Sequence, residues 1–296
     1  MWEITRRLVR PRLIAIAIVN ALMLSAPAAW ADNISFVNSY RNISYQQTGN
    51  GNTLSLNGTF WSADLNATVA NAYTSASVTL PGGSSIALTQ GAPGDYGYQT
   101  GLLADQATMD AMFPTGTYTF TGINGAQTDT ATMIYSVDDY SKTNPFLTGN
   151  TYSSLQGMNS AQNFLFHLSP YTPGGAASET NAFIFLTIFD QTTSSIAFTA
   201  GFLDPTTTSI LLPGNTLTAG HSYDYELDYS DRDALQGTGG QFPPELGFDV
   251  RTDGTFTTAA VAPVPEPGSF LLLGTGLLTI AGSTIRRGTN FVLRRK

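Results

Sequence analysis

Five acidic side chains fall within ten residues, Asp224, Glu226, Asp228, Asp231 and Asp233. The first three alternate with Tyr223, Tyr225, Leu227 and Tyr229, so a strand here sets three carboxylates on one face and apolar or aromatic groups on the other. Calcium prefers hard oxygen ligands, which makes this cluster the candidate calcium site of the chain. Same-face neighbours two residues apart lie about 7 Å from each other, however, too far for a compact shell unless a loop folds back. The competing reading is the solvated face of an edge strand, where charge discourages sheet-to-sheet aggregation. Asp249 and Asp253 form a weaker acidic turn of the same kind.

The other chemistry-bearing residues are sparse. His167 and His221 fall on different expected strands, and with no cysteine and no H-x-x-x-H spacing the sequence contains no zinc motif. His221 and Ser222 are adjacent, so on a strand they point to opposite faces and do not form a nucleophile and base. No G-x-S-x-G elbow, P-loop or H-E-x-x-H is present, and no catalytic residue is assigned. A glycosidase remains open, because its paired carboxylates leave no linear signature. Tyr96 and Tyr98, in the Gly-rich stretch 91–101, could stack on a glycan as flat aromatics do, or pack half-buried in a sandwich.

The body that must position these groups is acidic. Of the 296 residues, 32–262 hold four basic side chains (Arg41, Lys142, Arg232, Arg251) and 19 acidic ones, a net charge of −15 against −8 for the whole chain. A nucleic-acid binder is thereby excluded, since phosphate neutralisation needs clustered cations. Hydrophobic content of 42% argues against disorder. Without disulfides, each domain must bury enough apolar surface to stand alone.

The cations sit at the ends. Arg6, Arg7, Arg10 and Arg12 precede an apolar run, Leu13 to Leu24, that closes with small residues Ala29 and Ala31. This is the pattern of a secretory signal peptide over 1–31, with the mature chain starting at Asp32. At the other end Val264-Pro265-Glu266-Pro267 precedes a mostly apolar stretch, 269–285, then Arg286 and Arg287 within a basic tail, 286–296. Seventeen residues are at the lower edge of what spans a bilayer as a helix. The positive-inside rule keeps the basic tail cytoplasmic and the acidic body on the far side. The two prolines bar helix and strand, leaving an extended segment that suits a protease cleft.

The order of triplet, one-pass helix and arginine cluster resembles the PEP-CTERM sorting signal of exopolysaccharide-producing, double-membraned bacteria. The resemblance covers 263–296. It implies that an exosortase, a membrane-embedded cysteine protease, is the processing partner. It further implies that the C-terminal helix anchors the chain transiently in the inner membrane and that the body then reaches the cell surface or an exopolysaccharide matrix. No cofactor is expected beyond the candidate calcium.

Within the body, short alternating runs rich in Thr, Tyr, Phe, Val and Ile recur between Gly, Pro and Asn, the period-two signature of strands. They divide into a first all-β domain, 32–142, with one short helix or turn expected in Leu102–Phe113, and a second, 143–258, followed by a linker in 259–296. Asn181–Asp190 should pair with Ser195–Asp204 as a hairpin across 191–194. Leu217, Gly220 and Tyr223 resemble the Leu-x-Pro-Gly-x-x-Tyr signature of fibronectin type III domains, with Ala219 in place of the proline. That resemblance implies a tyrosine corner, in which the Tyr223 hydroxyl returns to the backbone near Leu217. The fold expected is therefore all-β, two tandem antiparallel β-sandwiches, the second fibronectin type III-like, flanked by a signal helix and a transmembrane helix. The function expected is a non-enzymatic structural or adhesive surface protein, with a secreted carbohydrate-active enzyme or glycan-binding module as the alternative.

Overall fold

Alternating apolar and polar residues put the chain into strands throughout the part that the computed structural model describes, residues 33–175 and 179–260. In chain order these are β1 (Ile34–Gln47), β2 (Leu54–Ala67), β3 (Ser75–Thr79), β4 (Ser85–Gln90), β5 (Asp95–Gln99), β6 (Gly116–Asn124) and β7 (Gln127–Tyr135). They continue with β8 (Phe164–His167), β9 (Glu179–Asp190), β10 (Ser195–Leu203), β11 (Ser209–Leu212), β12 (Ser222–Ala234), β13 (Gly237–Thr238) and β14 (Glu245–Thr257). Two short helices interrupt them, α1 (Gln106–Met112) and α2 (Thr151–Leu155). The signal segment 1–31, the triplet at 265–267, the span 269–285 and the tail 286–296 lie outside the described residues. Among the described residues no helix is long and apolar enough to cross a membrane.

Twelve strands form one sheet in the order β10-β9-β12-β14-β1-β2-β5-β4-β3-β6-β7-β13, and β11 and β8 form a second. Every pairing between these strands is antiparallel except one. β1 runs parallel to β14, Asn38 opposite Glu245 through Gln46 opposite Asp253, and so ties the start of the body to its end. A parallel pair needs a crossover connection, and here everything between β1 and β14 is that crossover.

Two hydrophobic cores lie on the same face of the long sheet. The first is enclosed where the sheet doubles over between β5 and β4, which share only Thr89–Gly97 and Gln90–Tyr96. Trp61, Leu65, Val78, Phe120 and Met133 meet there, joined by Phe248 of β14. Trp61 stacks on Phe113 at 4.2 Å. The second core is a sandwich: Ile184, Leu186, Ile188, Tyr225 and Leu227 of the long sheet face Leu155, Phe166, Ile210 and Leu212 from α2 and the two-stranded sheet.

Local chemistry sets the boundaries. α1 starts at Gln106, later than Leu102, because the Asp105 side chain caps it by accepting from the Thr108 N–H at 2.8 Å. Upstream, Leu103 bridges to Thr59 of β2 instead. The hairpin β9–β10 forms as expected, with Asp190 opposite Ser195. Its turn is held by the Asp190 carboxylate, which accepts from the N–H of Thr192 at 2.8 Å and of Thr193 at 3.1 Å. The tyrosine corner is present too. The Tyr223 hydroxyl accepts from Thr218 N–H at 2.8 Å and lies 3.2 Å from Thr218 O.

Candidate functional site

β12 lies between β9 and β14, so it is an interior strand rather than the edge strand expected from its charge. Its alternation divides the five acids. Asp224, Glu226 and Asp228 project from the outer face of the long sheet and are partly buried. Asp231 and Asp233, at odd positions, turn to the core side with Tyr223 and Tyr229 and are fully buried. Asp231 accepts from the Tyr171 hydroxyl at 2.8 Å and from Gly174 N–H at 3.3 Å. On the outer face Glu226 lies 3.2 Å from Arg251, and Asp224 accepts from the Gln191 carboxamide. Burial, with Asp253 nearby, pushes the Asp224 carboxyl up to about 6. The calcium site expected from these five residues is therefore corrected: the strand sends them to opposite faces. Among the described residues no group of three or more His, Asp or Glu is placed to hold a metal.

The histidines also separate. His167 is exposed on β8, while His221 Nδ1 lies 2.8 Å from Asp190 Oδ2 at the β9–β10 turn. Burial raises the Asp190 carboxyl, but bonds from His221, Thr193 and Thr192 outweigh it and hold the group below the usual carboxylate range. Ser222 Oγ lies 3.2 Å from Thr257 Oγ1, its partner across the β12–β14 pair.

Tyr96 and Tyr98 are on a strand, β5, not on a loop. Tyr96 is buried, its hydroxyl donating to Tyr73 O at 2.7 Å and accepting from Tyr73 N–H at 3.0 Å. Tyr98 leans on Trp61 with ring centroids 6.1 Å apart. The pair does not make a flat platform for a sugar, because alternation sends neighbours two apart to one face and Tyr96 fills the first core there.

One functional-looking residue carried no sequence signal. Arg41 is 1% exposed on β1 and donates through Nη1 to Phe113 O at 2.8 Å and through Nη2 to Asp110. Its Nε lies 3.3 Å from Asp138, and its guanidinium sits 4.7 Å from the Tyr135 ring centroid. It pins the C-terminal end of α1 to the sheet. Two shallow depressions mark the second half of the body. One, of about 460 Å³, is lined by Thr148, Asn150, Phe164 and His167; the other, of about 370 Å³, by Lys142, Asn144 and Phe146. No carboxylate lines either.

No curated protein matches the chain. Among solved structures it is similar to the FN1–FN3 domains of chicken CNTN1, at 8% identity over 79% of this chain and 67% of that one, with a TM-score of 0.23. A 1.5-MDa bacterial ice-binding adhesin matches at 14% identity over 78% and 67%, with a TM-score of 0.23. Trypsin-activated alpha-2-macroglobulin from Escherichia coli matches at 12% identity and a TM-score of 0.24, over 78% of this chain and 16% of its own length. At these TM-scores the all-β fold stands on the strand pairing described above, not on the overlaps. One family model matches, at the C-terminal end, where the Pro265-Glu266-Pro267 triplet and the arginine pair stand. Residues 263–287 are a PEP-CTERM protein-sorting motif.

Proposed function

We propose that this chain is an exported surface or matrix protein whose C-terminal signal is cut by an exosortase, leaving the β-rich body outside the inner membrane. The sorting motif at 263–287 carries the reading, since such a motif implies export to the cell envelope or surface. The remaining parts of the route belong to the same proposal. The signal peptide 1–31 is removed after Ala31. The stretch 269–285 then holds the chain in the membrane with Arg286 and Arg287 as its cytoplasmic stop. Val264, Pro265, Glu266 and Pro267 present the extended site of recognition.

The released body acts as a structural or adhesive module among exopolysaccharide, built of two lobes, 32–142 and 143–258. Two separate cores support that division, with β14 shared between them. The alternative reading, a carbohydrate-active enzyme, would need carboxylates converging within roughly 5–10 Å in a cleft. Fractionation of the native host tests the route. The wild-type chain should appear at the cell surface, and Glu266→Ala should accumulate with the inner membrane. A Glu266→Ala chain that reached the surface as wild type does would contradict the proposal.

A further inference from the structure

The larger of the two depressions differs in chemistry from the smaller. In the smaller one the side-chain hydroxyls are spent within the fold. Thr143 Oγ1 donates to Pro170 O at 2.8 Å and accepts from Thr172 N–H at 3.1 Å, while Ser169 Oγ accepts from Phe146 N–H and donates to Asn144 O, both at 3.0 Å. Thr148, Asn150, Thr151, Ser154, His167 and Thr208 line the larger one, and none of these side chains bonds to another described residue. Thr151 is only 5% exposed and still keeps a hydroxyl without a partner. Side-chain polar groups so deeply buried are satisfied in the large majority of cases.

Backbone bonds hold the walls and leave those side chains idle. Thr148 N–H donates to His167 O at 2.8 Å, Leu168 N–H to Thr208 O at 2.9 Å and Thr151 N–H to Thr148 O at 3.1 Å. Asn50, in the β1–β2 turn, clamps α2: its Oδ1 accepts from Ser153 N–H at 2.9 Å and its Nδ2 donates to Ser153 Oγ at 3.0 Å. Beneath lie Leu147, Leu155 and Leu168 of the second core. Phe164, braced edge-on by Phe166 with ring centroids 5.1 Å apart, and Leu165 supply an apolar wall. The lining is therefore set before a ligand arrives, which lowers the cost of binding.

That lining selects a class of ligand. None of the described residues around it is Asp, Glu, Lys or Arg, so a charged ligand meets no fixed counter-charge, and the net charge of −15 over 32–262 repels anions further. A wholly apolar ligand would strip water from six polar side chains and replace none of its bonds. Hydroxyl and carboxamide groups both donate and accept, which matches sugar hydroxyls, and the C–H face of a sugar ring rests on an apolar wall. The volume of about 460 Å³ falls within the roughly 300–1,000 Å³ of small-ligand sites.

We propose that the depression between α2 and β8 binds a neutral saccharide, with Asn150, Thr151 and His167 as its hydrogen-bonding residues and Phe164 as its apolar wall. The proposal rests on the reading of the body as an adhesive module and is independent of the export route. A shallow site leaves much of the sugar in water, and a dissociation constant on the order of 1 mM is expected.

The test is saturation-transfer-difference NMR of the full-length chain, titrated with maltotriose, cellotriose, laminaritriose and mannotriose, and with trigalacturonate as the anionic comparison. At least one neutral trisaccharide should bind, and trigalacturonate should bind about tenfold more weakly or not at all. The double variant Asn150→Ala, His167→Ala should weaken binding by about tenfold or more. Its melting temperature should be unchanged, since both side chains are exposed and bond to nothing in the fold. Thr151→Val removes one hydroxyl at nearly constant volume, and it should weaken binding roughly fivefold while melting no lower than wild type. A merely structural role for Thr151 would lower the melting temperature instead. Lys142→Ala, in the smaller depression, should bind as wild type does. The proposal is overturned if no neutral trisaccharide binds, if trigalacturonate binds as well as they do, if the double variant binds as wild type, or if Lys142→Ala loses binding. None of these results bears on export, which the Glu266→Ala fractionation tests separately.

Discussion

The side-chain carboxamide of Gln47 pairs with the backbone of Leu147 as a neighbouring strand would. Its Oε1 accepts from Leu147 N–H at 2.9 Å while its Nε2 donates to Leu147 O at 3.0 Å. The Tyr225 hydroxyl adds a bond to the same Oε1 at 2.8 Å, and Nε2 also reaches Gly49 O and Gly51 O. A fully buried residue at the end of β1 thus fastens the first half of the body to the loop that opens the second. Gln47→Leu keeps the volume but strands the Leu147 backbone and the Tyr225 hydroxyl. With the Leu147 N–H, the Leu147 carbonyl and the Tyr225 hydroxyl all left unsatisfied at about 1–3 kcal/mol each, it should cost about 3 kcal/mol or more in urea unfolding followed by Trp61 fluorescence.

Tyr223→Phe deletes one oxygen. Thr218 N–H loses its partner, whereas Thr218 O keeps the Thr258 hydroxyl at 2.7 Å. The Phe256 ring stacked 5.2 Å from Tyr223 is undisturbed. A loss of about 1–3 kcal/mol in urea unfolding is expected, with the sheet content by circular dichroism unchanged.

Arg41 should not tolerate its nominally conservative replacement. Lysine keeps the charge but cannot reach Phe113 O, Asp110 and Asp138 together with a planar fork. Arg41→Lys should therefore destabilise the body by roughly 2–4 kcal/mol, close to the effect of Arg41→Met. Equal stability of Arg41→Lys and wild type in the same urea assay would show that charge alone matters at this position.

Two raised carboxyls, those of Asp64 and Asp224, should make stability fall as pH rises. Asp64 keeps its proton in the folded state up to about 7 against 3.8 in the unfolded chain, and Asp224 up to about 6. The folded state therefore binds more protons across that window, and stability declines through it before levelling above pH 7. Asp64→Asn should flatten the decline and stabilise the protein by roughly 1–4 kcal/mol at pH 8. The check is a series of urea midpoints from pH 4 to 8.

The residues that spoke through local chemistry were legible in the sequence. Asp190 and Ser195 frame a hairpin because an acid and small polar residues between two alternating runs admit little else, and Leu217, Gly220 and Tyr223 specify a corner by spacing alone. What could not be read was set by distant partners. Nothing near Tyr40 or Gly247 announces that β1 and β14 pair in parallel, and the position of β14 is what makes β12 an interior strand. Asp231 shows the limit most clearly. It belongs to an acidic run, yet its parity, not its charge, decides that it is buried against Tyr171. Asp95 was hidden in a Gly-rich stretch that reads as a loop. Its pairing with Asn66, and that of Asp64 with Asn38, exists only once three strands from separate parts of the chain are aligned.

The sorting account meets its most direct test in the two termini of the protein recovered from the surface of its native host, read by mass spectrometry of the intact chain. A chain that begins at Asp32 and ends near the Val264–Pro267 segment, without Arg286 to Lys296, is the predicted result. Surface material that runs intact through Lys296 would contradict it.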